Sequence, residues 1–112
     1  MKVYRPSESE GTTQYGGVVR PALSAGNGAE LSCGTLTLQP GESMKEIEKH
    51  QSDEIFFLAA GELKIAGEDG SSIRAKAGEI VHLPAGEWHL SSNPGSTQTV
   101  LFGSTETKRR PV

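Results

Sequence analysis

Two histidines and two glutamates carry the chemistry open to this chain. Glu48, His50 and Glu54 occupy even positions of one stretch, EKHQSDE, and His89 lies far downstream. Side chains alternate along an extended chain, so Glu48 and His50 project to one side. Glu54 rejoins that side if the turn between them preserves parity. His89 would come from a separate strand. Two imidazoles and two carboxylates converging inside a barrel make a nitrogen/oxygen donor set suited to one divalent transition metal such as Mn, Fe, Ni or Zn. Buried carboxylates need such a partner, because unpaired charge in an apolar interior is costly. Glu48 has a second role open to it, as a general base beside a metal held by His50, Glu54 and His89. His82, two residues before Pro84, is a further acid/base candidate for the pocket. Each residue also has a plainer account. KEIEKH reads equally as a charged surface, Glu54 as a solvated strand-end acid, and His82 and His89 as hydrogen-bonded structural histidines.

Positioning these groups requires strands. Ala29–Leu38, Glu54–Ala60, Leu63–Ala66, Ser72–Ala75, Glu79–Leu83, Trp88–Ser92 and Thr97–Phe102 alternate with Gly/Pro punctuation. Glu68-Asp69-Gly70 predicts a hairpin turn and Lys76-Ala77-Gly78 another. Gln14–Pro21 is a weaker strand candidate, and Ser24–Gly28 is a loop. Strands at this spacing predict a sandwich or barrel. Ser43–Ser52 conflicts with the pattern. Ser43 and Glu46 are spaced as a capping box, but Met44 and Ile47 make too thin an apolar stripe for a helix to bury much, and an extended reading is favoured. Phe56 and Leu58 share the parity of Glu54 and would line the cavity, with Ile55 and Phe57 on the opposite side. Trp88 is out of phase with His89 and packs outward, a candidate dimer contact. Asn93 reads as a turn residue.

Composition limits the alternatives. At 112 residues the chain suits one domain with one core. The 14 glycines and 34% apolar content favour short strands and tight turns. A net charge of −3 leaves no basic footprint for nucleic acid. The one basic cluster, Lys108-Arg109-Arg110, reads as a solvated tail. Cys33 is the only cysteine, expected to be a small buried filler, and no intrachain disulfide is possible. No apolar run approaches the ~18 residues that span a membrane, and MKVYRPSESEG has no signal-peptide core. The expectation is a soluble cytoplasmic protein that binds neither membrane nor nucleic acid.

Gly78, Pro84, Gly86, His89 and Asn93 stand at the spacing Gly, five residues, Pro, one, Gly, two, His, three, Asn. That run resembles the second signature motif of the cupin family at every position. The first cupin motif is Gly, five residues, His-x-His, three or four residues, Glu, six residues, Gly. His50, Glu54 and Gly61 match its second histidine, glutamate and closing glycine. Glu48 stands at the first histidine position, one residue further from Gly41 than usual. Phosphomannose isomerases are similar in placing a non-histidine, Gln, there. The resemblance spans Gly41 to Asn93 and implies an all-β double-stranded β-helix, or jelly-roll barrel. It implies one divalent metal inside the barrel, held by Glu48, His50, Glu54 and His89, with Glu48 and His82 as catalytic candidates. It also implies a homodimer.

The expected layout is one cupin domain over residues 1–112, with its motifs in 41–93 and peripheral arms at 1–13 and 104–112. The expected function is metal-dependent chemistry, by a dioxygenase or an isomerase/lyase, on a small carboxylate, enol or hydroxy-carbonyl molecule. The alternative is a non-enzymatic cupin that binds or senses a small molecule or sugar.

Overall fold

The computed structural model describes residues 1–44, 48–49 and 51–106, with residues 48 and 49 described through their backbone. Among the described residues ten strands are formed: β1 Thr12–Gln14, β2 Gly17–Leu23, β3 Leu31–Leu38, β4 Glu48–Lys49, β5 Glu54–Ala60, β6 Glu62–Ala66, β7 Ser72–Lys76, β8 Ile80–Leu83, β9 Trp88–Ser92 and β10 Thr99–Glu106. Two single-turn 3₁₀ helices, Pro6–Glu8 and Ala25–Asn27, are the only helical elements among the described residues. No helix among them is long and apolar enough to cross a membrane.

The strands form two antiparallel sheets. One runs β1-β2-β3-β10-β5-β8 and the other β4-β9-β6-β7. Non-sequential neighbours such as β3-β10-β5 and β4-β9-β6 identify a jelly-roll wrapping rather than a meander. The fold is an all-β double-stranded β-helix.

Alternating burial explains how the sheets face each other. Phe56 and Leu58 on β5 and Val81 and Leu83 on β8 point inward, while Ile55, Phe57, Ile80 and His82 point outward. Leu36 and Leu38, Leu63 and Ile65, Ala75 and Leu101 complete the core from both sheets. Leu38, Leu58 and Leu63 are fully buried, and each contributes roughly 1.5–3 kcal/mol through removal from water.

Asn93 binds the end of β9 to both sheets. Its side-chain amide donates to the Leu38 carbonyl at 3.0 Å and the Thr97 carbonyl at 2.8 Å. Its side-chain oxygen accepts from Gly95 N–H at 2.9 Å. It is therefore a buried turn residue, satisfied within the protein.

Two expectations are revised and a third holds for its described part. Gln14–Pro21 is not one strand but most of a hairpin, with Gln14 paired to Gly17 across Tyr15-Gly16. The arms are shorter than expected: Thr12 and Thr13 pair with β2, Ser104 and Thr105 pair with both β3 and β5, and Glu106 pairs with β3. Within Ser43–Ser52, Ser43 bridges to Ser92 and Glu48–Lys49 is a strand, so the described part is extended. Glu46 and Ile47, on which the helical reading partly rested, lie outside the described residues, as does the Lys108–Arg110 cluster.

Candidate metal centre and cavity

The corner between β8 and β9 presents His89. Glu87 N–H donates to the Pro84 carbonyl at 3.2 Å, closing a tight turn, and Gly86 adopts φ 79° within it. That left-handed conformation is open to glycine without steric cost. Ala85 N–H donates to Asp53 Oδ1 at 2.9 Å, which ties the corner to the start of β5. The chain then enters β9 in a phase that buries His89 and Ser91 and leaves Trp88, Leu90 and Ser92 half-buried on the other face.

His89 is 2% exposed. Its ring meets Phe56 edge-on, with centroids 5.9 Å apart and planes at 78°. This is a favourable aromatic geometry that also holds the imidazole plane. Its Nε2 lies 3.5 Å from Glu54 Oε1, on the first residue of β5. That separation is longer than an N–H···O hydrogen bond, about 2.7–3.2 Å. Two donors that each bind one ion at about 2.1 Å stand about 3.0–3.4 Å apart at octahedral to tetrahedral angles. The pair therefore has the spacing and chemistry of two ligands to a common divalent metal.

The expected donors are brought together in part. Glu54 and His89 converge. Glu48 is the register partner of His89 across β4 and β9. His50 lies outside the described residues, and among those described no three His, Cys, Asp or Glu side chains form a metal cluster. His82 does not line the cavity. Val81 and Leu83 take the interior positions of β8, and alternation turns His82 to the surface. There its Nε2 lies 2.9 Å from Asp53 Oδ2, with both side chains more than half exposed.

Glu54 and His89 lie against a cavity of about 300 Å³. Val19, Leu36, Phe56 and Leu101 supply apolar wall, and Ser91 and Met44 lie near His89. Met44 is buried and donates its N–H to the Ser91 carbonyl at 3.0 Å. Ser91 was not singled out from sequence, although its position two residues after His89 placed it on the same strand face. Tyr15, at the cavity margin, left no such periodic signal because it lies in a turn. Cys33 is half-buried on the cavity wall rather than in the core.

Fold and site together define a small double-stranded β-helix with an interior imidazole–carboxylate pair beside a ligand-sized cavity. The Cupin domain family matches residues 34–103, and the chain belongs to the cupin family. Members of this family often bind a metal ion and small molecules. No curated protein matches the chain.

Several solved structures share the fold. A Cupin 2 conserved barrel domain protein from Salinispora arenicola is 20% identical, with 95% of this chain and 88% of that one aligned at a TM-score of 0.80. A predicted oxalate decarboxylase from Thermotoga maritima is 25% identical, with 94% and 98% aligned at 0.79. A polyketide cyclase from Streptomyces resistomycificus is 16% identical, with 99% and 82% aligned at 0.81.

Proposed function

We propose that this cupin is a metal-dependent enzyme acting on a small carboxylate, enol or hydroxy-carbonyl molecule. In this reading His50, Glu54 and His89 hold one divalent transition metal, with Glu48 as fourth ligand or as base. The observation that carries the proposal is the 3.5 Å approach of Glu54 Oε1 to His89 Nε2 beside the cavity. When bound, the ion supplies a Lewis acid that polarises a carbonyl or carboxylate oxygen. Phe56 fixes the plane of the His89 ring and presents an apolar face to the ligand. Val19, Leu36 and Leu101 displace water from the ligand's body. Glu48, opposite His89 in the β4–β9 register, is the candidate to accept a proton at its carboxylate oxygen. Similarity to the Thermotoga maritima predicted oxalate decarboxylase supports a small carboxylate as substrate class.

Elemental analysis of the purified protein tests this reading. Wild type should carry about one Mn, Fe, Ni or Zn per chain, and His89→Ala should carry none. A protein without stoichiometric metal, whose Tm is unmoved by all four ions, would instead be a non-enzymatic binding cupin.

The reading includes a homodimer through the outer face of the larger sheet. Ile80, Phe57 and Phe102 are register partners across β8, β5 and β10, and all three are exposed, as is Ile55. An apolar row of this kind suits a self-complementary contact with a second copy. Phe57→Lys should convert a dimer to a monomer in sedimentation velocity, and a monomeric wild type would end this part of the proposal.

A further inference from the structure

Two features of the cavity are left unused by metal binding. The first is Ser91. Its side chain is 1% exposed and lines the cavity on the His89 face of β9, and its Oγ has no hydrogen-bond partner among the described residues. A buried hydroxyl left unpaired is unfavourable, and a ligand oxygen would satisfy it.

The second is Tyr15. Tyr15 and Gly16 form the two-residue turn between β1 and β2, with φ of 55° and 82°. Hairpin turns with positive φ at both central residues favour Asn-Gly or Asp-Gly. A bulky aromatic side chain in that conformation is strained, and such strain gathers at binding sites. The turn is also held in place. A Cβ on Gly16 would collide with the Ser43 carbonyl oxygen, so the hairpin tip packs directly on the Ser43–Met44 backbone. Met44 in turn is hydrogen-bonded to Ser91. Tyr15 is 44% exposed and lines the cavity margin.

Apolar groups supply most of the cavity's exposed lining, Val19, Leu36, Phe56 and Leu101 among them. Gly103 lines the same cavity, and a Cβ there would rest in ordinary van der Waals contact with the Phe56 ring. A ligand that fills this space needs a polar end for Ser91 and an apolar body for Phe56, Leu36 and Leu101. A compact dicarboxylate with no apolar surface would leave those walls unmatched.

We infer that the cavity takes a small aromatic hydroxy- or keto-carboxylate, its oxygen-bearing end hydrogen-bonded to Ser91 and its ring held by Phe56 and capped by Tyr15. The placement of the chelating end beside Glu54 and His89 rests on the metal reading; the Ser91 and Tyr15 contacts do not.

Calorimetric titration with salicylate, and with oxalate for comparison, tests the inference on metal-free and Mn-loaded protein. Wild type should bind salicylate at least ten-fold more tightly than oxalate. Tyr15→Asn, which suits the turn, should raise the Tm yet weaken salicylate at least five-fold, with oxalate affinity and metal content unchanged. Ser91→Ala should weaken salicylate at least five-fold with metal content unchanged. The inference is overturned if wild type binds oxalate as tightly as salicylate or binds no salicylate. It is also overturned if Tyr15→Asn raises the Tm with salicylate affinity intact, which would make Tyr15 a turn residue alone. Salicylate binding that depends on Tyr15 in a protein unable to hold metal would sustain this inference and sink the metal reading. Stoichiometric metal without salicylate binding would do the reverse.

Discussion

Glu54→Gln isolates the metal reading, because it preserves the size of the side chain and removes its charge. The carboxylate is nearly buried, with Oε1 3.5 Å from a histidine nitrogen. In metal-free protein the substitution removes a charge that is costly to desolvate, so stability should change by no more than about 1 kcal/mol in either direction. The metal-loaded state should respond differently. At a free metal concentration one hundred times Kd, wild type gains about 2.7 kcal/mol. For a chain of this length that is a Tm increase of about 10 °C. A neutral amide is a poor ligand for a hard divalent ion. Loss of an outer-shell partner already lowers metal affinity about 10–100-fold, so loss of a direct ligand should reach 100-fold or more. At the same metal concentration the variant would then gain about 0.4 kcal/mol, or about 2 °C. Differential scanning fluorimetry at neutral pH, with and without EDTA, reads this contrast directly. An equal metal-induced rise in Tm for Glu54→Gln and wild type would refute Glu54 as a ligand.

Three other outcomes are expected. Asn93→Ala removes hydrogen bonds to Leu38, Thr97 and Gly95, and urea unfolding should show a loss of about 2–4 kcal/mol, two buried carbonyls being left with fewer partners. His82→Ala should leave metal content unchanged and alter stability by less than about 1 kcal/mol, since its pair with Asp53 is solvent-exposed; lost metal in this variant would mean that His82 reaches the centre after all. Hydrogen bonds from Ser71 hold the Asp69 carboxyl below the usual carboxylate value. Its small contribution is present above the unfolded value and lost as pH falls through the folded one, so Asp69→Asn should reduce the acid sensitivity of the Tm below about pH 4 and nowhere else.

Much of the barrel was legible because it obeys period two. The boundaries of Glu54–Ala60 and Trp88–Ser92 agree with the observed strands, and the inward Phe56 and Leu58 against outward Ile55 and Phe57 follow from alternation alone. The β1–β2 hairpin was missed because Tyr15 occupies a turn position that usually signals itself with Asn or Asp. His82 was misplaced for a different reason. His82 and Ile80 share one face of β8, but parity cannot say which face of a strand is the interior; the packing of Val81 and Leu83 decides that.

The sequence by itself determined the family, the corner that carries His89 and the donor types available to a metal, because fixed glycine and proline spacings constrain local backbone geometry. Only the tertiary structure decided which donors meet. β5 and β9 lie in different sheets, so the approach of Glu54 to His89 depends on how those sheets close over the core. The same closure seats the Tyr15-Gly16 turn on Ser43 and leaves the Ser91 hydroxyl buried without a partner among the described residues. Such non-local contacts have no spacing signature along the chain. They arise from packing between segments that the sequence order keeps apart.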